Sequence, residues 1–309
     1  MYVERVEGAP AKQGPLRDNY VISSPNELRQ LMQCHAMSAI IDLDRGCDTG
    51  DGPSAPSSKG QAELEEELLQ HYSSEEVAQA RSTIAKAVPN IRQMMGAARE
   101  NAAFDLEMAS VATADIMASA ADNAGALIGL AKLKQVDEGT FLHSLSVAAL
   151  MITFGRALGL DEPMVRELGM GGLVHDIGKT VIPLNVLQKG DKLTNTEFSI
   201  IRSHPQRGYA ILKRSGPIPE SVLAICLSHH EKFDGGGYPQ GLAGHKIPYV
   251  ARIASICDVY DALTTVRPYK AAWTKAEALE KMLASRGHFD LALLRAFISK
   301  MVIGGELKL

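Results

Sequence analysis

The sequence of 309 residues has few cysteines and almost no net charge. Its four cysteines form no CxxC pair and are irregularly spaced, so we expect reduced thiols rather than a disulfide framework or a structural zinc site. The formal net charge of −4 provides no general basic field for binding a nucleic-acid polymer. A small anionic ligand is still compatible with this charge, because a few local cations or metals can hold it.

Long hydrophobic runs are also missing. No stretch approaches the roughly 20 apolar residues needed to cross a bilayer, and the longest, residues 145–154, has the length of a core helix. The first ten residues, MYVERVEGAP, contain no positive region followed by an apolar one, so no secretion signal is expected. These absences predict a cytoplasmic protein that does not bind membranes, and an apolar content of 46% allows a sizeable core.

The residue pattern divides the chain into four parts. They are a small N-terminal unit, a linker rich in Gly, Pro, Ser and Asp, a helical connector and a catalytic domain, at residues 1–47, 48–60, 61–133 and 134–309. The first part is predicted to be α+β and the last all-α, because strand-like alternation is scarce after residue 134.

Three local features are predicted within these parts. Residues 25–31 are expected to form a short helix and residues 39–43 a strand, which gives the N-terminal unit its α+β character. In the connector, Pro89 is expected to interrupt or restart a helix, because proline removes a backbone hydrogen bond.

The first chemical signal is the dipeptide His175-Asp176 within GLVHDIGKT. An adjacent histidine and aspartate at a helix end can present an imidazole and a carboxylate to one metal, or let the carboxylate bridge two. Such a dipeptide is common by chance, so its context carries the signal. Glycines flank it and allow close backbone approach, and Lys179 follows at a distance suited to contacting a phosphate.

The second signal is the pair His229-His230, which ends an apolar segment and precedes EKFDGGGYP. Two core histidines with satisfied hydrogen bonds would be the purely structural explanation. However, three consecutive glycines before Tyr238 have a high conformational entropy cost, and such a tight loop is typical of a ligand site.

Further candidates are His143, His204 and Asp258, each a weak signal alone. A single histidine on an apolar helix face is more often a core residue than a ligand. Together with the two motifs they give the order H…HD…H…HH…D. These five imidazoles and two carboxylates suit a pair of first-row transition metals such as Fe or Mn.

The motifs HDIGK and HHEKFDGGGYP closely resemble those of the HD-GYP family, a branch of the HD phosphohydrolases. DVYDALTTVRPYK is similar to the third block of that family, and the resemblance covers residues 135–286. The N-terminal unit, through VISSPNELRQLM and AIIDLDRG, resembles a small domain that often precedes HD-GYP domains. The resemblance implies an all-α, HD-type helical bundle that hydrolyses cyclic di-GMP.

Carried over residue by residue, the resemblance implies two metal sites that share one aspartate. The implied ligands of the first metal are His143, His175, Asp176 and Asp258. The implied ligands of the second metal are Asp176, His204, His229 and His230. The residues implied to hold substrate phosphates or guanines are Lys179, Tyr238, Arg267 and Lys270.

The chain departs from the family pattern at one position. Members with three metals place a glutamate one helical turn before the first histidine ligand, where this chain has Gly139. Glu138 is adjacent but points about 100° away on a helix. We therefore expect two divalent metals, Fe or Mn first and Ni or Zn as alternatives, with Asp261 in a supporting role behind the ligands.

The implied reaction is attack of a metal-activated water on phosphorus, with Asp176 and Lys179 as the catalytic residues. Cyclic di-GMP would give pGpG and then GMP, and 3′,3′-cGAMP is an alternative substrate. A sensor that binds cyclic di-GMP without cleaving it and a generic HD nucleotide phosphohydrolase are the competing functions. We also expect a homodimer, with a cyclase domain as a candidate protein partner and no DNA or RNA partner.

Overall fold

The structure is a computed structural model of the chain. It describes residues 2–7, 20–21, 38–42, 66, 68–100, 104–133, 139–187, 189, 193–265 and 273–307. The chain divides into two compact units, Met1–Ser57 and Ser58–Leu309. The division falls within the segment that the sequence predicts as a linker.

The described part of the first unit is a three-stranded antiparallel sheet. Its strands are β1 (Tyr2–Glu7), β2 (Tyr20–Val21) and β3 (Ser38–Asp42), with β1 in the middle. β3 agrees within one residue with the strand predicted at residues 39–43. The helix predicted at residues 25–31 lies outside the described residues, so the α+β character of this unit stays a prediction.

The described part of the second unit is mainly helical, as the sequence predicts for the catalytic part. Its helices in chain order are α1 (Ser74–Arg99), α2 (Leu106–Lys132), α3 (Gly139–Leu158), α4 (Glu162–Val174), α5 (Leu184–Leu187), α6 (Asn195–Arg202), α7 (His204–Arg214), α8 (Glu220–Ser228), α9 (Tyr249–Thr264), α10 (Lys275–Ala284) and α11 (Leu291–Phe297). Short 3₁₀ turns lie at Ile177–Val181 and Gly244–Lys246, and a π-helical turn lies at Ile298–Ile303.

Helix α1 packs against α2 and begins at a capping box, in which Ser73 and Glu76 satisfy each other's backbone N–H groups. The prediction that Pro89 interrupts this segment is wrong, because α1 continues through it to Arg99. Proline removes one backbone hydrogen bond. The buried residues Val88 and Ile91 on either side of the proline hold both halves of the helix in the core.

Helix α3 lies at the centre of the bundle, in contact with α1, α2, α4 and α9. By length and composition the segment Thr140–Leu158 could cross a membrane, since it has 19 residues and a mean hydropathy of 1.5. However, 78% of its most apolar window is buried inside the structure. A helix that is apolar on all sides is expected at the core of a larger bundle, which is the position α3 occupies.

Two glycines in α4 allow the neighbouring helices to approach closely. A Cβ atom at Gly171 would overlap the side chain of Ile225 on α8, and one at Gly172 would lie 2.7 Å from Cα of Ala148 on α3. Neither position can carry a side chain without displacing its neighbour. The close packing brings α3 and α8 to the end of α4, where His175 follows.

Candidate metal centre

All seven predicted ligands converge on one site, although they come from five separate segments. They lie on α3, directly after α4, at the start of α7, directly after α8 and on α9, and they are His143, His175, Asp176, His204, His229, His230 and Asp258. Their ligand atoms form two groups, and within each group the atoms lie within 4.8 Å of one another. One group is Asp176, His204, His229 and His230, and the other is His143, His175 and Asp258.

The Asp176 carboxylate lies between the two groups. Its Oδ1 atom is 3.2 Å from Nε2 of His204 and 3.8 Å from Nε2 of His229. Its Oδ2 atom is 3.4 Å from Nε2 of His175 and 3.8 Å from Nε2 of His143. One oxygen therefore faces each group, which is the arrangement expected of a carboxylate that bridges two cations.

Backbone carbonyls orient three of the imidazoles. Each donates its Nδ1–H to a carbonyl of the preceding helical turn: His175 to Gly172 at 2.8 Å, His204 to Ile201 at 2.8 Å and His229 to Cys226 at 3.0 Å. A carbonyl only accepts, so the proton must be on Nδ1. The lone pair of Nε2 then points into the site, which is the tautomer that a metal requires.

His143 is oriented by two aspartates of α9. Its Nδ1 atom lies 2.7 Å from Oδ2 of Asp261, and its Nε2 atom lies 3.2 Å from Oδ1 of Asp258. Burial opposes the charged form of this imidazole, but the hydrogen bonds to Asp258 and Asp261 raise the pKa of His143 to about 9. Asp261 is fully buried and also accepts from the Ser146 hydroxyl, so it supports the ring from the edge opposite the ligand nitrogen.

The polar atoms of the site fit a divalent metal. Among the described residues, Nε2 of His175 and Oδ1 of Asp176 are buried and accept or donate no hydrogen bond. Leaving buried polar atoms without a partner costs free energy, and a cation in each ligand group would contact one of these two atoms. Burial opposes ionisation of Asp176, but Lys179 and His175 hold the pKa of its carboxyl well below the usual range.

Burial favours the neutral form of two histidines of the second group, His229 and His230. Burial lowers the pKa of His229 well below its ordinary value, and burial also lowers the pKa of His230 to about 4. Metal binding requires deprotonated imidazoles, so no proton has to be displaced from these two rings near neutral pH.

Two of the four predicted substrate residues lie beside this centre. The Lys179 ammonium is 2.5 Å from Oδ2 of Asp176, and its side chain is 30% exposed. The Tyr238 ring lies 4.8 Å from the His230 ring, centroid to centroid, at an interplanar angle of 32°. The other two predicted substrate residues, Arg267 and Lys270, lie outside the described residues.

Sequence reasoning missed Arg202, whose guanidinium carbon lies 4.6 Å from the centroid of the Tyr238 ring. His230 and Arg202 thus both contact Tyr238, and a cation over an aromatic face stabilises the ring's position. The sequence offers one signal for Arg202, which is its position two residues before His204. In the structure Arg202 is the last residue of α6.

Sequence reasoning also missed the role of Glu231, which follows the paired histidines. Its buried carboxylate accepts backbone N–H groups from Gln240 at 2.6 Å and Leu242 at 3.0 Å. A Cβ atom at Gly237 would overlap the backbone of Lys232, so the loop folds back tightly on itself at this glycine. Glu231 therefore holds the loop that carries Tyr238, and the glycine run serves close backbone packing within the loop.

Family models match both parts of the chain. One described as "HD domain" matches residues 63–293, and one described as "Domain of unknown function (DUF3391)" matches residues 1–109. The HD domain match begins near the start of the segment that the sequence predicts as a connector, and it includes α1 and α2.

Curated relatives match either most of the chain or about half of it. The chain is 37% identical to the cyclic di-GMP phosphodiesterase PA4108 of Pseudomonas aeruginosa, over 93% of this chain and 70% of that protein. It is 46% identical to the cyclic di-GMP phosphodiesterase response regulator RpfG of Xanthomonas campestris, over 50% of this chain and 41% of that protein. It is 36% identical to the 3′3′-cGAMP-specific phosphodiesterase 2 of Vibrio cholerae, over 52% of this chain and 31% of that protein.

A solved structure has the same fold. Bd1817, an HDG"Y"P protein from Bdellovibrio bacteriovorus, aligns with a TM-score of 0.60 and 22% identity, over 78% of this chain and 77% of that one. The family match spans most of the chain, and the paired histidines are followed by the glycine-rich loop with its Gly-Tyr-Pro sequence. The chain therefore belongs to the HD domain family and, within it, to the HD-GYP branch.

Proposed function

We propose that this chain is a metal-dependent phosphodiesterase that hydrolyses cyclic di-GMP to pGpG, with GMP as the product of a second cut. The observation that carries the proposal is the position of Asp176, which directs one carboxylate oxygen toward each of two ligand groups. The activity for which PA4108 is named supports the same reaction, and the chain covers 70% of the length of that relative.

The ligand set fits two divalent metals of the first transition row, with Fe or Mn preferred and Ni or Zn as alternatives. When bound, such cations supply a water of lowered pKa and positive charge for the phosphoryl oxygens. His143, His175 and Asp258 would hold one metal, His204, His229 and His230 the other, and Asp176 both. Gly139 opens α3 one turn before His143 and offers no side chain, which supports a count of two.

The chain's own groups position the substrate around the metals. Lys179 places an ammonium beside Asp176, where it can offset negative charge on a non-bridging phosphate oxygen. Tyr238 offers a hydroxyl and an aromatic face, and the Arg202 guanidinium lies over the ring and helps to hold it in place. Arg267 and Lys270 are assigned to the phosphates or guanines by the family resemblance alone.

A second substrate, 3′,3′-cGAMP, is part of the proposal, because relatives from Vibrio cholerae that are 36% and 39% identical are named phosphodiesterases specific for it. We also propose a cytoplasmic enzyme that forms a homodimer and docks a cyclase domain. Chemical cross-linking and a pull-down with such a domain test these two associations.

The test is anaerobic turnover of both cyclic dinucleotides with Fe(II) and with Mn(II), resolved by chromatography. Wild type is compared with the variant His175→Ala/Asp176→Ala and with the control His71→Ala, which changes an exposed histidine outside the ligand groups. We expect pGpG or GMP from the wild type and the control, and none from the double variant. Tight binding of cyclic di-GMP by the metal-loaded wild type without any product would make the protein a sensor instead.

A further inference from the structure

A cavity of about 240 Å³ opens beside the metal centre. Asp176 and Lys179 line it on one side, so the cavity is continuous with the site at which the scissile phosphate would lie. Helix α1 lines the other side, with the guanidinium-bearing residues Arg92 and Arg99 and the glycine between them, Gly96. None of these three residues belongs to the sequence motifs that identify the family.

The two arginines share one face of α1. They are seven residues apart, which places them two helical turns and about 10 Å apart along the axis. Arg99 donates Nε–H to the Thr180 carbonyl at 3.3 Å, directly after Lys179. The guanidinium carbon of Arg92 lies 5.4 Å from the centroid of the Phe141 ring, which also lines the cavity. This spacing exceeds the width of a single phosphate and is closer to the extent of a nucleotide.

Gly96 leaves the wall of the cavity open between the arginines. A Cβ atom at this position would meet no other atom within 4 Å. Glycine in a helix interior is destabilising relative to alanine, and no close packing at this position requires it. The open space at Gly96 is therefore available to a ligand.

We propose that α1 forms one wall of the active site and that Arg92 and Arg99 bind the half of the cyclic dinucleotide that is not being cleaved. This inference rests on the proposed function. A guanidinium has five donors in a planar fork, which matches a phosphate or the O6 and N7 acceptors of guanine. Phe141 adds an aromatic face against which a base can stack.

The test separates binding of the half that is not being cleaved from the chemistry at the metals. Arg92→Ala and Arg99→Ala each remove a cation, and Gly96→Leu fills the space between them. We expect KM for cyclic di-GMP to rise about 10-fold or more in each variant, with kcat within about threefold. The arginine variants lose hydrogen bonds to charged groups, which are strong, and the leucine side chain takes up the space of the ligand. Hydrolysis of bis(p-nitrophenyl) phosphate, which has no second nucleotide, should change less than about twofold.

The matched control is Arg81→Ala, an exposed arginine on α1 that lines no part of this cavity. Arg81→Ala should leave the kinetic constants for both substrates unchanged. Gly96→Leu should not lower the melting temperature. Unchanged KM in all three variants would overturn the inference while leaving the proposed function intact. Equal losses on both substrates would also overturn it, because the residues would then act on the metal centre or the fold.

Binding of cyclic di-GMP, measured by calorimetry with the metal-loaded protein, distinguishes the two proposals further. If the wild type binds without turnover and the three variants bind more weakly, the binding role of α1 stands and the proposed hydrolysis fails. If the wild type neither binds nor cleaves the dinucleotide, both fail.

Discussion

At the scale of single residues, Asp261 accepts the hydrogen bond from Nδ1 of His143, while Asp258 lies beside the other ring nitrogen. Asp261 has no exposed surface and lies one helical turn after Asp258 on α9. A carboxylate in this position fixes the orientation of the imidazole and raises its basicity toward a metal. Asp261 should therefore affect metal affinity without contacting the metal.

The variant Asp261→Asn tests this role. We expect about 10- to 100-fold weaker binding of one of the two metals, because the neutral amide polarises His143 less. Metal titration with atomic absorption or a competing chelator measures the affinity. The control Asp290→Asn changes another buried carboxylate, which pairs with Arg252 at 2.5 Å outside the ligand groups. Equal metal affinities in the two variants would contradict the role.

The sequence singles out four of the seven predicted ligands because they lie in local motifs. His175 and Asp176 are adjacent in the chain, and His229 and His230 are followed by a distinctive loop, so neighbouring residues reveal them. Arg202 and the two arginines of α1 have no such local context. Their proximity to the site arises from tertiary packing, which no short pattern encodes.

At the scale of elements, the packing of α4 decides whether ligands from α3 and α8 meet. Gly172→Ala should lower the free energy of unfolding by about 1–3 kcal/mol, because the new methyl group would lie 2.7 Å from Cα of Ala148. The matched control, Gly96→Ala on α1, should raise it by about 0.5–1 kcal/mol, since that position has open space. Denaturant unfolding gives both values. Similar stabilities for the two variants would show that the α3–α4 contact adapts.

The loop that carries Tyr238 depends on the Glu231 carboxylate. Glu231→Gln replaces one acceptor oxygen with an NH₂ group that faces a backbone N–H donor, either Gln240 or Leu242. We expect a loss of about 1–3 kcal/mol of stability and a rise in KM for cyclic di-GMP, with metal content unchanged. Melting temperature, kinetics and metal analysis together check this. A variant with normal KM would show that the loop does not position substrate.

Element boundaries were harder to predict than element types. The sequence correctly predicts that the catalytic part is mainly helical, because apolar periodicity and caps are local signals. It fails at Pro89, where the local penalty of proline is outweighed by burial of both flanking turns in the core. The contribution of tertiary packing is not visible in the sequence around a single residue.

At the scale of the whole molecule, the proposed metals would join five segments of the second unit and should stabilise it. A ligand that binds only the folded state adds about 2.7 kcal/mol per site at a free concentration 100-fold above its dissociation constant. Adding Mn(II) to metal-free protein should therefore raise the melting temperature of the wild type, and raise it much less in His204→Ala. Equal rises in the melting temperature of the wild type and of His204→Ala would show that the stabilising metal binds at a different site.

The sequence predicts the helical architecture of the catalytic part, but not how far the HD domain extends. Residues 61–133 have few breakers and no family motif, so they resemble a connector. The HD domain match from residue 63 and the packing of α1 and α2 around α3 show that these helices belong with the rest of the second unit. Which faces of α1 and α2 are buried can be recognised only from the helices that pack against them.

The central claim is that Asp176 joins two metal sites that together hydrolyse a cyclic dinucleotide. The most direct measurement is metal content per chain alongside anaerobic turnover of cyclic di-GMP, for the wild type and Asp176→Asn. The account predicts about two metals per wild-type chain, conversion to pGpG or GMP, and loss of both a metal and turnover in the variant. Full metal content with undiminished turnover in Asp176→Asn would contradict it.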